Sequence, residues 1–281
     1  MNPKIGIVGC GFVGGAMLEN FKGIFDVHVW DTNEDKRTIK TLESFVDWAE
    51  IIFVCVPTPM KESGECDTSI VESVVADIAK INKEKFIVIK STVPPGTSKM
   101  LAERHEMKIG FNPEFLTERN SVNDFRDQEL IVIGADDFGT ETVLVGLYYS
   151  FLNIIGRMDR THVIKRSTTE AELFKYLANC FLATKVMFAN EFKILCDKAD
   201  VDYSRVAELA KLDKRLGHTH WDVPGPDGKL GFGGSCFPKD TAALLAYADH
   251  VGTALWLLTE ATYINDDLRN RGMYEKLRVV E

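Results

Sequence analysis

The chain has 281 residues, of which 45% are hydrophobic, so it can bury a sizeable core in one large domain or two of ordinary size. Its 33 basic and 42 acidic residues give a net charge of −9, which argues against nucleic acid or an anionic membrane as the principal partner. The six cysteines contain no CxxC pair, the N-terminus lacks the zones of a signal peptide, and no apolar run is long enough to span a membrane. These features favour a protein of the reducing cytoplasm without a disulfide framework or a metal site.

The first half alternates short apolar runs with amphipathic or polar segments, which is the pattern of a parallel sheet covered by helices. A helix is predicted around residues 141–152, and residues 161–166 could add a further strand. Six strands, enough for a Rossmann-type, doubly wound α/β sheet, are predicted over residues 4–8, 27–31, 51–56, 86–90, 108–111 and 130–133.

The second half is predicted to be helical. Ser167 and Glu170 resemble a capping box, and residues 168–198 carry apolar side chains at helical spacing with no Pro or Gly between them. We expect one long central helix, buried against other helices or a second subunit. Further helices are predicted over residues 203–212, from about Pro238, and over residues 254–277. The predicted division is an α/β domain over 1–165 and an all-helical domain over 166–281.

The first turn of the chain, GIVGCGFVGGA, predicts a dinucleotide site. Gly9, Gly11 and Gly14 form the pattern GxGxxG directly after the first strand, with an amphipathic segment behind it. The glycines permit a tight turn and let the backbone approach a pyrophosphate, to which the helix N-terminus supplies donors. Phe12 and Val13, inside this pattern, are assigned to the cofactor as well.

The end of the second predicted strand indicates which dinucleotide is bound. Asp31 follows Gly14 by 17 residues, where a carboxylate takes the ribose hydroxyls and repels a 2′-phosphate. NAD is therefore favoured over NADP. Lys36 and Arg37 follow soon after and keep the NADP alternative open.

Two Pro-rich loops follow the third and fourth strands, with the sequences VPTP and KSTVPPGT. Ligands of open α/β sheets bind at the carboxyl ends of strands, so these loops are predicted to line a nicotinamide site. The Thr92 hydroxyl could hold a water there. The alternative is that the prolines only stop the strands. The residues assigned to the cofactor here are Val56, Pro57, Thr58, Ser91 and Thr92.

Two pairs of polar residues, each four apart, are candidates for chemistry. Lys175 and Asn179 share one face of the predicted long helix in an apolar setting, which favours a buried, functional amine over a solvated one. Glu114 and Glu118 follow the fifth strand, where paired carboxylates could position or deprotonate water, although solvated acids at a helix start are the commoner case.

The segment GFGGSCFPKD carries the candidate nucleophile. Pro238 predicts that a helix begins directly after Cys236, and Asp240 lies one turn beyond the cysteine. Open backbone N–H groups and the nearby Lys239 ammonium both favour a thiolate. The glycines at 231, 233 and 234 would let substrate and cofactor approach the sulfur, whereas a buried structural cysteine is the alternative.

Five motifs in this order, VPTP, KSTVPPGT, NPEFLTE, the Lys175/Asn179 pair and VPGPDGKLGFGGSCFPKD, resemble the UDP-glucose 6-dehydrogenase family, which includes GDP-mannose dehydrogenases. The resemblance runs over nearly the whole chain. It implies oxidation of the C6 alcohol of a nucleotide sugar to a carboxylate, a four-electron reaction that uses two NAD and one water.

The resemblance also implies a role for each candidate residue. Cys236 would trap the intermediate aldehyde as a thiohemiacetal, which becomes a thioester by losing a second hydride. Lys175 and Asn179 would stabilise the oxyanion on the same oxygen. Covalent capture is physically sensible because a free aldehyde could escape between the two oxidations.

The resemblance assigns thioester hydrolysis to Asp240 and Thr92, which would order a water, and to Glu114, which would act as base. Glu118 lies where the family contacts nicotinamide and substrate, and Lys239 is assigned to the cofactor.

Arg215 matches an arginine that relatives lend to the sugar site of the neighbouring subunit, which makes the long helix part of a homodimer interface. The remaining residues predicted to line the sugar are Phe115, Leu116, Thr117, Phe232, Gly233 and Gly234.

Two departures from the family pattern stand out. Relatives carry a C-terminal nucleotide-binding domain, which we expect to be absent here, and the segment between Asp31 and Ile51 is shorter than theirs. We expect a naturally compact, short-form enzyme. The rival hypotheses are a β-hydroxyacid-type dehydrogenase, which transfers a single hydride without a cysteine nucleophile, and a non-catalytic relative that binds NAD.

Overall fold

A computed structural model of the chain describes residues 3–271. It divides into two compact units, the first comprising Met1–Pro59 and Cys66–Lys175, and the second Met60–Glu65 and Tyr176–Glu281. The boundary between the two units, after Lys175, lies inside the long helix and ten residues beyond the domain boundary expected from the sequence.

A seven-stranded sheet forms the centre of the first unit, in the order β2-β1-β3-β4-β5-β6-β7. Neighbouring strands are parallel except β5 and β6, which meet antiparallel through Phe111 and Gly134. The Rossmann-type sheet is thus confirmed, and the segment around residues 161–166 does add a strand. The strands are β1 Lys4–Val8, β2 Asp26–Trp30, β3 Ile51–Val54, β4 Phe86–Ile89, β5 Lys108–Phe111, β6 Leu130–Gly134 and β7 His162–Arg166.

Helices cover both faces of this sheet. They are α1 Phe12–Phe21, α2 Leu42–Trp48, α3 Ser69–Ile81, α4 Thr97–His105, α5 Ser121–Asp127 and α6 Phe138–Ile154, with a 3₁₀ turn at Glu34–Lys36. Because successive side chains of a strand alternate between faces, Ile52 and Val54 pack with α2, α3 and α4, whereas Ile51 and Phe53 pack with α1, α5 and α6. Burial on both faces explains why the central strands read as continuous apolar runs.

The second unit is helical. The predicted long helix is α7, Thr168–Lys198, and it is followed by α8 Tyr203–Leu212, α9 Phe237–His250 and α10 Trp256–Asp266. A π-helical turn at Asp267–Arg271 follows α10, and the rest of the predicted helix 254–277 lies outside the described residues. Over residues 3–271, no helix combines the length and the apolarity needed to cross a bilayer.

Candidate active site

The β1–α1 turn has the shape of a dinucleotide cradle. Gly9 has φ +88°, and a Cβ there would lie 2.7 Å from the Cys55 carbonyl oxygen. A Cβ on Gly14 would lie 2.0 Å from the Gly9 carbonyl oxygen, so this glycine permits the close approach of helix to strand. Nothing lies within 4 Å of a Cβ on Gly11, which caps α1 without a side-chain bond. The turn therefore presents open space and backbone N–H donors, as a bound pyrophosphate requires.

Asp31 directly follows β2 and is fixed by the backbone. Its Oδ2 accepts from Cys10 N at 2.6 Å and its Oδ1 from Asn33 N at 2.9 Å. Burial tends to raise the pKa of Asp31, but these two hydrogen bonds and the charges of Lys36 and Arg37 hold it below its ordinary value. An ionised carboxylate at this position suits the ribose of NAD and repels a 2′-phosphate.

The loops after β3 and β4 lie side by side, because these strands are adjacent and parallel. The Ser91 hydroxyl donates to the Val56 carbonyl at 2.6 Å and ties the loops together. Thr58 and Thr92 are buried, whereas Pro57 is exposed. The structure thus brings the predicted cofactor residues of both loops to one edge of the sheet.

Glu172, on α7, holds the second of these loops and was not a candidate from the sequence. Its carboxylate accepts from Gly96 N at 2.5 Å and Ser98 N at 2.8 Å, at the start of α4. Burial raises its pKa to about 7, despite these hydrogen bonds. The signal in the sequence was an acidic residue three positions before Lys175, on the helix face that also carries Asn179.

Glu114 and Lys175 form a buried ion pair within the first unit. The Lys175 ammonium donates to Glu114 Oε1 at 2.9 Å and to the Glu114 carbonyl at 2.6 Å, and it lies 5.4 Å from the centre of the Phe115 ring. The two side chains are only 3% and 8% exposed. Leu116 N donates to the other carboxylate oxygen at 2.8 Å. The functional amine expected from the sequence is therefore buried, and its partner is the predicted base.

The charge state of Glu114 follows from its surroundings. Burial alone would raise the pKa of this carboxyl, but Lys175, the Leu116 N–H and Lys90 together hold it below its ordinary value. A carboxylate that stays ionised near neutral pH can accept a proton from water.

The remaining residues of NPEFLTE are more open. The Phe115 ring packs edge-on against Phe174 at 5.6 Å, and Glu118 is exposed. Both the backbone N–H and the hydroxyl of Thr117 donate to Asp124. The exposed members of this segment are free to contact a ligand, while Glu114 is held inside.

Cys236 lies at the N-cap of α9 in the second unit, with Pro238 in the first turn, as the sequence predicted. No side chain caps this helix start, and Cys236 is half-buried with its sulfur 3.7 Å from the Ser235 hydroxyl. The backbone bond from Asp240 N to the Cys236 carbonyl, at 2.8 Å, fixes the spacing of one turn. A thiol at an uncapped helix start lies in the positive end of the helix dipole, which favours a thiolate.

Asp240 is the centre of a second buried polar group. Its carboxylate accepts from the Lys239 ammonium at 2.5 Å and from the Asn179 amide at 2.6 Å, and the residue is 1% exposed. Lys175 and Asn179 lie one turn apart on α7, as predicted, but each pairs with a different carboxylate. The spacing alone did not predict these partners.

Asparagine side chains accept hydrogen bonds from the backbone of the glycine loop before Cys236. Gly231 N donates to Asn190 Oδ1 at 3.0 Å and Phe232 N to Asn265 Oδ1 at 2.7 Å. The Phe232 ring is 4% exposed and belongs to the core of the second unit. The Phe232 side chain is therefore not open to a ligand, whereas Gly233 is half-buried and Gly234 is exposed.

Arg215 lies in an exposed turn after α8 and has a local partner. Its guanidinium donates to both carboxylate oxygens of Asp213, at 2.6 Å for the shortest contact, and 87% of the side chain is exposed. The described residues contain no group of three or more His, Cys, Asp or Glu side chains able to hold a metal ion.

Comparison with known proteins identifies the family. Residues 38–152 match the NAD binding domain of the UDP-glucose/GDP-mannose dehydrogenase family, and residues 169–267 match the central domain of the same family. The chain belongs to the UDP-glucose/GDP-mannose dehydrogenase family. The resemblance inferred from the five motifs is thereby confirmed, and the first unit carries the NAD binding domain of the family.

Individual relatives agree with this assignment. UDP-glucose 6-dehydrogenase TuaD of Bacillus subtilis is 34% identical over 257 residues, which cover 88% of this chain and 51% of that protein. A UDP-glucose dehydrogenase structure from the hyperthermophilic archaeon Pyrobaculum islandicum superposes with a TM-score of 0.84 at 28% identity, covering 95% of this chain and 68% of that one. The chain thus spans about half the length of the curated relatives it matches.

One structural neighbour bears on the rival hypothesis. Mycobacterium tuberculosis 3-hydroxyisobutyrate dehydrogenase superposes with a TM-score of 0.73, covering 95% of this chain and 94% of that one. Its identity is 17%, so the likeness concerns the fold alone.

Proposed function

We propose that the chain catalyses the NAD-dependent, four-electron oxidation of the C6 alcohol of a nucleotide sugar to a carboxylate, of the UDP-glucose to UDP-glucuronate type. The observation that carries the proposal is Cys236 at the uncapped start of α9, one turn before the buried, hydrogen-bonded Asp240. A single oxidation needs no nucleophile, whereas capture of an aldehyde does.

Cys236 takes part in three steps: addition to an aldehyde, oxidation to a thioester and hydrolysis of the thioester. The Cys236 sulfur adds to the C6 aldehyde, and the new oxyanion takes a proton to give a thiohemiacetal. Loss of hydride from C6 and of the hydroxyl proton gives a thioester, and water then releases the acid and restores the thiol. NAD, when bound, accepts one hydride in each of the two oxidations.

Lys175 is proposed to donate to the oxyanion of the substrate, with the Asn179 amide as a second donor. Thr92 and Asp240 order the hydrolytic water, and Glu114 removes its proton. The carboxylate of Glu114 is ionised, because its pKa lies below the ordinary value, and its bonds to Lys175 and the Leu116 N–H hold it in a fixed position. Proton transfer by a positioned base is worth roughly 10²- to 10⁴-fold in rate.

The cofactor contacts proposed are those of the β1–α1 turn, Asp31 and the two Pro-rich loops, with Glu118 and Lys239. UDP-glucose is the first substrate to test, because the curated relatives are named UDP-glucose 6-dehydrogenases. The second candidate is a two-electron oxidation of a hydroxyacid, which the Lys175/Asn179 pair on α7 would also serve.

We also propose that the chain is a homodimer that works in the reducing cytoplasm. The second-unit part of α7 exposes an apolar stripe at Leu177, Phe181, Phe188, Phe192 and Leu195, which would be costly to leave in water. The exposed position of Arg215 suits a residue lent to the partner subunit.

Counting NADH per molecule of substrate consumed tests the proposal, over a panel of UDP- and GDP-sugars and hydroxyacids. Two NADH per sugar are expected. The Cys236→Ser variant is expected to lose the second oxidation or to stall at the covalent stage, while the Cys196→Ala control, in the core of the second unit, retains two. One NADH per substrate would favour the hydroxyacid reaction, and none on any compound would leave a protein that only binds NAD.

A further inference from the structure

Lys90, the first residue of KSTVPPGT, is a buried cation with no role in the reaction described above. It directly follows β4 and is 3% exposed. Its ammonium donates to Asn112 Oδ1 at 2.6 Å and to the Asn112 carbonyl at 3.3 Å. In the described part of the chain it forms no direct ion pair, so a charged group is held among neutral oxygens at a considerable desolvation cost.

Asn112 is fixed from three sides. Besides the bond from Lys90, its Oδ1 accepts from the Tyr148 hydroxyl at 2.5 Å and its Nδ2 donates to the Val132 carbonyl at 2.7 Å. Asn112 directly follows β5, and Glu114 is two residues further, after a proline that restricts the backbone. The network therefore fixes the chain at the end of β5, two residues before Glu114.

Lys90 also acts on Glu114 through its charge. Burial tends to raise the pKa of Glu114; Lys175 and the Leu116 N–H lower it most, and the positive charge of Lys90 lowers it further. Burial lowers the pKa of Lys90 to about 8, although the negative charge of Glu114 acts to raise it. The Cys55 thiol and the Lys175 ammonium are the other titratable groups that face Lys90. The Cys55 thiol stays neutral because burial raises its pKa to about 12.

A second cation matters because Lys175 has two tasks in the proposed reaction. While its ammonium donates to the oxyanion of the substrate, it no longer neutralises Glu114 fully, and a buried carboxylate without a cation takes up a proton. A protonated Glu114 cannot act as base. Lys90 is bonded to the framework and cannot turn toward the substrate.

We propose that Lys90 is a positioning residue that keeps Glu114 ionised and in place while Lys175 serves the substrate. The inference rests on the proposed function only for the role of the base. The coupling between Lys90 and Glu114 can be measured without turnover.

The direct test is a pH titration of Glu114, followed by NMR of protein labelled with ¹³C at the glutamate carboxyls. The resonance of Glu114 is the one that Glu114→Gln removes. Lys90→Met is expected to raise its titration midpoint by about one pH unit, the size of effect that a nearby charge produces. The control is Lys85→Met, which removes a lysine bonded to the Asp47 and Ala49 carbonyls just before the same strand and should leave the midpoint unchanged.

Tyr148→Phe separates charge from position, because it removes a bond to Asn112 and keeps the cation. The midpoint of Glu114 should then stay near the wild-type value. If Lys90→Met does not fold, Glu114→Gln gives the reciprocal measurement, in which the titration of the Lys90 amine moves down by the same amount. An unchanged midpoint in folded Lys90→Met, or an unmoved Lys90 amine in Glu114→Gln, would overturn the inference.

Turnover distinguishes this failure from failure of the proposed function. In an active enzyme, Lys90→Met should slow acid release from the thioester about tenfold on the acid limb of the pH profile, with the first NADH formed at the wild-type rate. Titration shifts without any turnover would uphold the coupling and refute the reaction. Two NADH per sugar with no titration shift would refute the coupling alone.

Discussion

At the scale of single residues, each unit holds a buried carboxylate with its own polar partners. Glu114 is paired with Lys175 in the first unit, and Asp240 is bonded to Lys239 and Asn179 in the second. Desolvating such groups costs several kcal/mol per ion, and apolar residues of similar size are often no less stable. The presence of a carboxylate in the interior of each unit therefore indicates chemistry more than stability.

The ion pair predicts how the Glu114→Gln variant behaves. Removing one partner leaves the Lys175 ammonium buried and unpaired, so the free energy of unfolding at pH 7 should fall by about 3 kcal/mol. Because the pKa of Glu114 is lowered from 4.5, its contribution is present above that pH and is lost as pH falls through the lowered value.

Urea unfolding at pH 7 and at successively lower pH values measures this. The gap between wild type and Glu114→Gln should narrow on acidification, and Glu114→Gln with Lys175→Met should recover much of the loss at pH 7. Equal stability of wild type and Glu114→Gln at pH 7 would contradict the buried pair.

At the scale of elements, the β1–α1 turn separates two uses of glycine. Gly14 is needed by the fold, because a Cβ there would overlap the Gly9 carbonyl oxygen. Gly11 is not needed by the fold, since its Cβ would meet nothing. An open position at a helix N-terminus is the space that a pyrophosphate fills.

Gly11→Ala is therefore expected to fold with a melting temperature close to that of wild type and to bind NAD at least tenfold more weakly, a loss of about 1.4 kcal/mol. Isothermal titration calorimetry and thermal melts provide the two readouts. Gly15→Ala is the matched control, since its Cβ also meets nothing but lies further along α1. Wild-type affinity in Gly11→Ala would argue against a pyrophosphate at this turn.

At the scale of the whole molecule, the second-unit part of the long helix α7 carries a row of exposed apolar side chains. Phe181 and Phe188 are 66% and 55% exposed on a helix whose other side packs in the core of the second unit. Apolar rings at helical spacing are stabilised when a second copy covers them.

Phe181→Glu should convert the proposed dimer to a monomer, because each interface would bury two copies of the new charge. Light scattering coupled to size exclusion measures the mass. The control is Phe138→Glu, at an 82% exposed position at the start of α6, which should leave the oligomeric state unchanged. A wild-type monomer at micromolar concentration would contradict the dimer.

The sequence by itself determined the positions of the strands along the chain, the long helix α7, the glycine turn after β1 and the position of Cys236 at a helix start. These features depend on local rules: apolar periodicity, glycine spacing and proline at the first turn. A single helix, α7, also placed Lys175 and Asn179 on one face without any tertiary information.

Only the tertiary structure decided which charges meet. Lys175 pairs with Glu114, 61 residues earlier, and Asn179 bonds Asp240, 61 residues later. The sequence also did not predict the bonds from the start of α4 to Glu172 or the bond from Lys90 to Asn112. Nor did it predict that β5 and β6 pair antiparallel. Periodicity along the chain determines which face of an element is buried, but a buried polar group finds its partner only when distant segments pack together.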